Sequence, residues 1–236
     1  MNPNDAPARA ENVRRMFDRI APRYDLLNSL MTFGRDRAWR REVVRHLGLG
    51  PGARLLDLGT GTGDLALEAR RRHPQVRVAA ADFAREMLRR ARRRPGADGV
   101  GWLIADALHL PFADSTFDAV VSGFLVRNVV DLDRALTEQR RVLRPGGRLA
   151  CLDTTPPGRG PLRPMLDFHL HRVIPLLGRA LAGDVEAYNY LPGSTSRFLP
   201  AEELAARMTR AGFAGVGFVR RMFGTIAIHW GARPTA

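Results

Sequence analysis

A short glycine-rich segment with two flanking aspartates, RLLDLGTGTGDLA at residues 54–66, carries the residue types best suited to chemistry. Three glycines stand at every second position, and Asp57 and Asp64 lie on either side of them. A glycine turn between a strand and a helix lets a ligand approach the backbone closely, and it usually cradles a phosphate. Because the two carboxylates would repel a phosphate, the segment predicts a binding loop for a ligand of different charge.

Further candidate residues follow the next apolar segments, each of which has the composition of a buried strand. Asp82 ends VRVAAAD, Asp106 ends VGWLIAD, and Gly123 lies near the end of FDAVVSGF. Ligands of open parallel sheets bind outside the carboxyl ends of the strands, where the strand order reverses. We therefore expect these residues to meet the glycine loop in one crevice.

The residues of this crevice favour S-adenosylmethionine over a dinucleotide. A nicotinamide or flavin dinucleotide requires G-x-G-x-x-G, whereas the spacing here is G-x-G-x-G at Gly59, Gly61 and Gly63, followed by an acidic residue. S-adenosylmethionine carries an ammonium and a sulfonium and no phosphate. Carboxylates beside the loop attract both cations.

Two aspartates of the crevice have alternative roles. We expect Asp82 to accept hydrogen bonds from the ribose hydroxyls, but it is also placed to cap the following helix. Asp57 is expected near the cofactor, and the alternative is that it holds the loop through N–H groups. The expected adenine contacts are Asp106 with Ala107 at its edge and Phe83 or Leu108 on its face.

The elements that must position these residues alternate between short apolar strands and amphipathic helices. This alternation predicts an α/β fold of βαβ units, with a parallel sheet covered by helices on both faces. Two closely spaced strands near the C-terminus, AGVGFVRRM and GTIAIHWG, predict an antiparallel hairpin, and RPGG is expected to stop a helix and turn the chain. The expected strands are 53–59, 76–82, 100–106, 117–124 and 148–153, and the expected helices are 62–72, 84–94, 131–143 and 201–211.

The length of 236 residues fits a single domain. The N-terminal helical pattern breaks near Pro22 and Gly34. Leucines at three-to-four-residue spacing within 164–183 predict an amphipathic helix pair, which either covers a long apolar tail at a membrane surface or serves as a cap or dimer helix. The expected parts are a disordered tail over 1–10 and a methyltransferase domain over 11–236, with a helical lid over 11–48 and a substrate cap over 156–198.

The net charge is +13, and all 37 basic residues are arginine. Such a charge suggests nucleic acid or an anionic membrane, but the arginines are dispersed along predicted helices. The longest runs, at 70–72 and 89–94, fall late in two helices, where cations interact favourably with the helix dipole. We interpret them as solvated helix ends, with a polyanion or membrane patch as the alternative, and expect no nucleic-acid partner.

The remaining composition indicates a reducing compartment. The single cysteine, Cys151, lies in a predicted strand and is expected in the core, and it excludes an internal disulfide. No apolar run is long enough to span a bilayer, and the polar N-terminus is not a signal peptide. The histidines lack ligand spacing, so we expect no metal site and a cytoplasmic location.

The segments FDRIAPRYDLLN, RNV and YNYLPGS are specific to one enzyme family, whereas LLDLGTGTGDLA and RPGG are shared by many methyltransferases. On these segments, which follow one another along nearly the whole chain, the protein resembles the ubiquinone/menaquinone biosynthesis C-methyltransferases. The resemblance implies a Rossmann-like class I fold with a mostly parallel seven-stranded sheet. It also implies S-adenosylmethionine-dependent methylation of a ring carbon of demethylmenaquinol or a related prenylated quinol.

The family's cofactor-binding positions are matched here by Thr62, Asp82, Asp106, Ala107 and Gly123, and the loop adds Asp57, Gly59 and Gly63. A prenylated acceptor would bring the protein to the inner face of the membrane as a peripheral contact. A homodimer is also expected.

Methyl transfer to an aromatic carbon requires an electron-rich ring held in line with the methyl group and stabilisation of the developing phenolate. We expect Arg127 to stabilise the phenolate oxygen, alone or through a water, and Asn128 to bond a ring oxygen. Tyr24 is expected to close the lid over the sulfonium. The alternatives are a salt bridge from Arg127 to Asp131 and lid packing by Tyr24, while His169, His171 and His229 are candidate bases more consistent with core or polar-edge positions.

Several departures from the family pattern fall in the substrate part. Asp36 replaces a histidine, Leu125 replaces a glycine in the family's FGLRN, and MFG replaces TGG near the end. Leu166 and His169 stand near positions where the family has tyrosines. These departures leave another small aromatic or secondary-metabolite acceptor as the alternative substrate.

Overall fold

The computed structural model describes residues 5–32, 34–156 and 198–235. The predicted helix pair at 164–183, YNYLPGS, His169 and His171 lie outside these residues. The described helices are α1 (Asp5–Ile20), α2 (Tyr24–Met31), α3 (Asp36–His46), α4 (Asp64–Arg72), α5 (Arg85–Ala91), α6 (Leu132–Val142) and α7 (Ala201–Arg210). The described strands are β1 (Arg54–Leu58), β2 (Arg77–Asp82), β3 (Gly101–Ile104), β4 (Phe117–Gly123), β5 (Leu143–Thr154), β6 (Ala214–Arg221) and β7 (Ile226–Ala232).

The strands form one sheet in the order β3-β2-β1-β4-β5-β7-β6. Strands β1 to β5 are parallel, and β7 is antiparallel to both of its neighbours. The order reverses between β1 and β4, which places the switch point beside the glycine loop. The predicted fold class and the C-terminal hairpin are confirmed.

Helices cover both faces of the sheet. On one face α3 and α4 pack Trp39, Val43 and Leu65 against the strands, and on the other α6 and α7 pack Leu136 and Met208. A parallel strand covered on both faces is buried along its whole length, and β1 is accordingly buried from its second residue onward. The apolar runs in the sequence reflect this double burial.

The N-terminal helices break where the sequence predicts. Pro22 lies in a 3-10 turn between α1 and α2, and Gly34, with φ of +70°, lies between α2 and α3. Helix α1 begins at Asp5, which corrects the expectation of a disordered tail for residues 5–10. Within the described part of the chain, no helix has the length and apolarity needed to cross a membrane.

The RPGG segment stops helix α6 at Val142, and Gly146 has a left-handed φ of +77°. The difference from the expectation is the start of the strand, because β5 begins at Leu143 and not at residue 148, and it continues to Thr154. Leu143 pairs with Phe117 of β4, and the register shifts before Ala119. A Cβ at Gly147 would lie 2.8 Å from the Arg144 carbonyl oxygen, so the irregular strand requires glycine there.

Two polar core positions match the sequence interpretation. Cys151 is buried in β5, where burial raises the pKa of its thiol to about 12. His229 is buried in β7, its Nε2 lies 2.9 Å from the Ala201 carbonyl oxygen, and burial lowers its pKa. His229 is therefore a hydrogen-bonded core histidine.

Candidate functional site

The carboxyl ends of the strands bring most of the predicted residues into one crevice. One cavity there is lined by Asp57, Gly59, Thr62 and Gly123, together with Tyr24 of the lid. Asp82 ends β2 beside them and reaches the loop through a hydrogen bond. These six residues come from four separate segments of the sequence.

The glycine loop depends on backbone conformations that favour glycine. Gly59, Gly61 and Gly63 have φ values of +65°, +56° and +88°, a region that side chains with a Cβ rarely adopt. A Cβ at Gly63 would also lie 2.6 Å from Cη2 of Trp102. The loop is thus a rigid turn that exposes backbone between β1 and α4.

Asp57 is buried with one oxygen occupied and the other free. Its Oδ2 accepts hydrogen bonds from Thr60 Oγ1 at 2.6 Å and from the Ala66 N–H at 2.9 Å. Its Oδ1 is buried and has no partner, and burial raises the pKa of the carboxyl to about 7. The structural alternative therefore accounts for Oδ2, while Oδ1 is available to a cationic group. A buried acceptor without a donor fits the ammonium of S-adenosylmethionine.

Asp82 caps the following helix and also contacts the glycine loop. Its Oδ1 accepts the N–H of Ala84, the residue before α5, and its Oδ2 accepts the N–H of Gly61 in the glycine loop. Burial raises the pKa of this carboxyl to about 6. Each carboxylate oxygen retains a second lone pair, so the cap leaves capacity for ribose hydroxyls.

Asp64 requires a correction to the electrostatic argument. Its carboxylate is bridged by Arg40 of α3 and by Arg94, each at 2.7 Å, so two cations neutralise it. The repulsion of a diphosphate at this crevice therefore depends on Asp57 and Asp82 and not on Asp64. Arg94 also donates to the Thr62 carbonyl oxygen at 2.9 Å, so this last arginine of the 89–94 run is not a solvated helix end.

The lid lies directly on the glycine loop. Thr62 Oγ1 donates to Asp25 Oδ1 of α2 at 2.5 Å, and Tyr24 Cε1 lies 3.9 Å from the position of a Cβ at Gly61. Burial raises the pKa of Tyr24. The cavity beneath has a volume of only about 30 Å³, whereas small-molecule sites measure roughly 300–1,000 Å³. The lid must therefore move before a cofactor enters.

The residues expected around adenine are only partly assembled. Phe83 packs against a buried cluster that includes Met16 and Ile20 of α1, so α1 covers the side chain that would face the base. Ala107 is buried, whereas the Asp106 side chain is exposed and its Oδ1 accepts the Leu108 N–H at 2.9 Å.

Arg127 is buried just beyond β4 and paired with an unexpected partner. Its Nη1 donates to Asp153 Oδ1 at 2.5 Å, its backbone N–H donates to Oδ2 at 3.2 Å, and its guanidinium lies 5.0 Å from the Phe124 ring centroid. Asp131 caps α6 by accepting the Arg134 N–H, so the alternative considered for Arg127, a salt bridge to Asp131, is wrong, and its salt-bridge partner is Asp153. Asn128, also buried, donates from Nδ2 to the Phe124 carbonyl oxygen at 2.7 Å.

Sequence reasoning missed two residues of the site. Asp153 lies near the end of β5, as Asp57 and Asp82 do in their strands, so the same strand-end pattern could have identified it. Phe124 has a φ of +57° and lines the cavity, and strained non-glycine residues concentrate at functional sites. No sequence signal marks that conformation.

The structure also shows where the residues that depart from the family pattern lie. Asp36 is buried, where it accepts from Thr32 Oγ1 at 3.1 Å and pairs with Arg40 at 2.7 Å. Leu125 packs on the glycine loop, since its Cδ1 would lie 2.8 Å from a Cβ at Gly59. Phe223, in the turn between β6 and β7, is 68% exposed with a φ of +55°.

The sheet order, the glycine loop and the acidic strand ends together define a class I S-adenosylmethionine-dependent methyltransferase. The chain belongs to the ubiE/COQ5 methyltransferase family, which it matches over residues 6–233. S-adenosylmethionine is accordingly its methyl donor.

Similar proteins agree with this assignment. The chain is 49% identical over 227 residues to the ubiquinone/menaquinone biosynthesis C-methyltransferase UbiE of Desulfotalea psychrophila, covering 96% of this chain and 92% of that protein. It is 48% identical over 221 residues to a demethylmenaquinone methyltransferase of Thermus thermophilus, covering 93% and 100%.

Solved structures share the fold at low sequence identity. A possible histamine N-methyltransferase from Thermotoga maritima superposes with a TM-score of 0.65 at 22% identity, covering 93% of this chain and 99% of that one. The [4+2]-cyclase SpnF superposes with a TM-score of 0.72 at 20% identity, covering 96% and 97%. Since a cyclase shares the architecture, the fold alone does not assign the reaction.

Proposed function

We propose that this enzyme methylates a ring carbon of a prenylated quinol, with demethylmenaquinol as the principal acceptor. The relatives from D. psychrophila and T. thermophilus carry names for quinone methylation. The observation that carries the proposal is Arg127, a buried cation fixed by Asp153 and stacked on Phe124, which lines the cavity over the glycine loop. A preorganised cation at this position suits an acceptor that develops negative charge on a ring oxygen.

In this proposal, different residues bind different parts of the cofactor. Bound S-adenosylmethionine supplies an electrophilic methyl group. Asp57 Oδ1 binds its ammonium, Asp82 accepts from the ribose, and the loop at Gly59, Thr62 and Gly63 lets the methionyl part lie against backbone. Asp106, Ala107, Phe83 and Gly123 complete the adenosine side once the lid moves.

The acceptor residues act on the ring oxygens. Arg127 does not deprotonate, so its role is to stabilise the phenolate and not to remove the proton. Asn128, held by the Phe124 carbonyl, orients a second ring oxygen. Tyr24 closes over the methyl group and excludes water, which strengthens each electrostatic contact inside.

The same proposal includes contact with a membrane. A polyprenyl tail resides in a bilayer, so the enzyme meets its acceptor as a peripheral protein at the membrane surface. The lid over 11–48 and the cap over 156–198 then enclose the ring and the tail. The homodimer stays a prediction.

The test combines substrate profiling with two variants. Labelled S-adenosylmethionine is incubated with demethylmenaquinol, a demethylated benzoquinol and non-quinol phenols, and the methylated carbon is located by mass spectrometry and NMR. Asp82→Ala is expected to weaken cofactor binding strongly, whereas Arg127→Ala should leave calorimetric cofactor affinity unchanged and abolish turnover. Preferential methylation of a phenol oxygen, or of a non-quinol acceptor, would contradict the proposed acceptor.

A further inference from the structure

An arginine-lined groove runs along the outer side of the lid helix α3. Arg37, Arg41 and Arg45 follow one another at four-residue spacing, so they lie on one face of α3, and all three are exposed. Across the groove lie Arg70, Arg71 and Arg72 of α4. We call these six residues the arginine groove.

The groove carries far more positive than negative charge. Its acidic residues are Asp64 and Glu68. Asp64 forms salt bridges with Arg40 and Arg94, and Glu68 forms a salt bridge with Arg71 at 2.8 Å. Arg37, Arg41 and Arg45 have no acidic partner within salt-bridge distance anywhere in residues 5–32, 34–156 and 198–235. Like charges facing one another repel unless an anion lies between them.

The shape of the arginine groove matches an extended anionic surface better than it matches one small anion. Its two sections have volumes of about 720 Å³ at the lid end and about 430 Å³ at the far end, and Arg71 lines both. The stripe from Arg37 to Arg45 extends about 12 Å along the helix axis, so its cations are spread out and do not converge on one point. Many separate headgroups match such an array better than one phosphate does.

The lining also argues against single-stranded nucleic acid. Proteins that bind such strands supply Phe, Tyr or Trp on which the bases stack. None of these residue types lines the arginine groove among the residues that the structure describes. The charge is therefore present without the stacking platform.

The groove is connected to the active site. Arg40 and Asp64 line both the groove and the cavity over the glycine loop, so an anionic surface seated on the groove would lie against the lid that covers the cofactor crevice. We propose that the arginine groove docks this enzyme on a bilayer that contains anionic phospholipids. The inference rests on the proposed function, because it explains how the lid reaches a membrane-embedded acceptor.

The test compares two charge-matched variants. The groove variant is Arg37→Gln/Arg41→Gln/Arg45→Gln, in which glutamine keeps the helix propensity. The control variant is Arg54→Gln/Arg77→Gln/Arg148→Gln, which replaces three exposed arginines: the first residues of β1 and β2, and Arg148 within β5. Cosedimentation is measured with vesicles of phosphatidylcholine alone and with vesicles that also contain phosphatidylglycerol.

The wild-type protein is expected to bind only the anionic vesicles and to be released by about 0.5 M salt, which shortens the Debye length. Each neutralised arginine should weaken binding about fivefold, so the groove variant loses about a hundredfold, and the control variant loses far less. Equal losses in both variants would overturn the proposal. So would a groove variant that loses affinity for RNA but not for vesicles.

Activity measurements separate this inference from the proposed function. The groove variant should methylate a short-tail acceptor in solution at the wild-type rate but lose activity on a long-tail acceptor in anionic vesicles. If the wild type binds vesicles through the groove but methylates no quinol, the proposed function fails and the docking surface stands. If quinols are methylated but vesicle binding is independent of the groove, the docking surface alone fails.

Discussion

Thr62 in the glycine loop donates a hydrogen bond from its hydroxyl to the Asp25 carboxylate of lid helix α2, at 2.5 Å. This bond fixes the lid to the glycine loop, for which we propose cofactor binding, above a cavity of about 30 Å³. Entry of S-adenosylmethionine therefore requires the bond to break. The lid and the binding loop are one coupled unit.

Asp25→Ala is expected to speed cofactor association. A hydrogen bond to a charged group contributes roughly 1.5–3 kcal/mol, so its loss should raise the association rate at least about tenfold where lid opening limits entry. Stopped-flow fluorescence measures this rate. Asp98→Ala, which removes an exposed carboxylate on the loop before β3, is the control and should leave the rate unchanged. An unchanged rate in Asp25→Ala would show that the lid opens without breaking this bond.

A second prediction separates the structural and catalytic roles of Arg127. Arg127→Met leaves Asp153 buried without its cation, so it should lower the free energy of unfolding by roughly 3–5 kcal/mol. In Arg127→Met/Asp153→Asn the uncompensated charge is gone, but the single asparagine oxygen can accept only one of the two backbone N–H groups that the two Asp153 oxygens accept, so only part of that stability should return. Denaturant unfolding measures both variants.

Turnover should behave differently from stability in these variants. If Arg127 stabilises a phenolate, the double variant stays impaired by about 10²–10³-fold in kcat, as when an oxyanion donor is removed. Cofactor affinity should stay near the wild-type value. A double variant that recovers both stability and kcat would reduce Arg127 to a structural residue.

The sheet was predictable from sequence because its strands are covered on both faces. Burial along the whole strand requires apolar residues at consecutive positions, and RLLDL and FDAVVSG satisfy that requirement in a single window. The polar strand ends, Asp57 and Asp82, were predictable for the same reason, since polar residues at the end of a buried run are conspicuous. Local patterning carries this information.

The ionic contacts were not predictable, because their partners lie far apart in the chain. Arg127 and Asp153 are separated by 26 residues, and the chain offered Asp131 as a closer acidic partner. Asp64 is held by Arg40 and Arg94 from two other elements. Only the packing of α3 and of the segment after α5 around the loop decides which of many arginines reaches which acid.

A third prediction concerns Phe223 in the turn between β6 and β7. The residue has a left-handed φ of +55° and a side chain that is 68% exposed. A side chain with a Cβ is disfavoured there by about 1–2 kcal/mol, and little burial offsets that cost. Phe223→Gly should therefore raise the free energy of unfolding by about 1 kcal/mol.

The matched control for this turn is Phe223→Ala, which removes the ring but keeps the Cβ. If backbone strain is the cause, Phe223→Ala should leave the free energy of unfolding unchanged. If the exposed ring is the cause, both variants should raise the free energy of unfolding. Thermal and denaturant unfolding of the two proteins distinguish these explanations.

The last prediction is a pH dependence with opposite signs for binding and stability. Burial raises the pKa of Asp57 from its usual 3.8 to about 7, so this carboxyl becomes neutral as the pH falls below 7 and no longer attracts an ammonium. Cofactor affinity should therefore weaken about thirtyfold between pH 8 and pH 5.5 from this group alone.

The free energy of unfolding should change the other way: the folded protein retains a proton that the unfolded chain releases near pH 4, so stability falls as the pH rises from about 4 to 7. Asp57→Asn removes this titrating group and should flatten both profiles, leaving in each the contribution of Asp82, whose pKa is raised to about 6. Calorimetry and denaturant unfolding across this range measure the two trends, and a wild-type affinity that is constant from pH 8 to 5.5 would mean that Asp57 does not bind the ammonium.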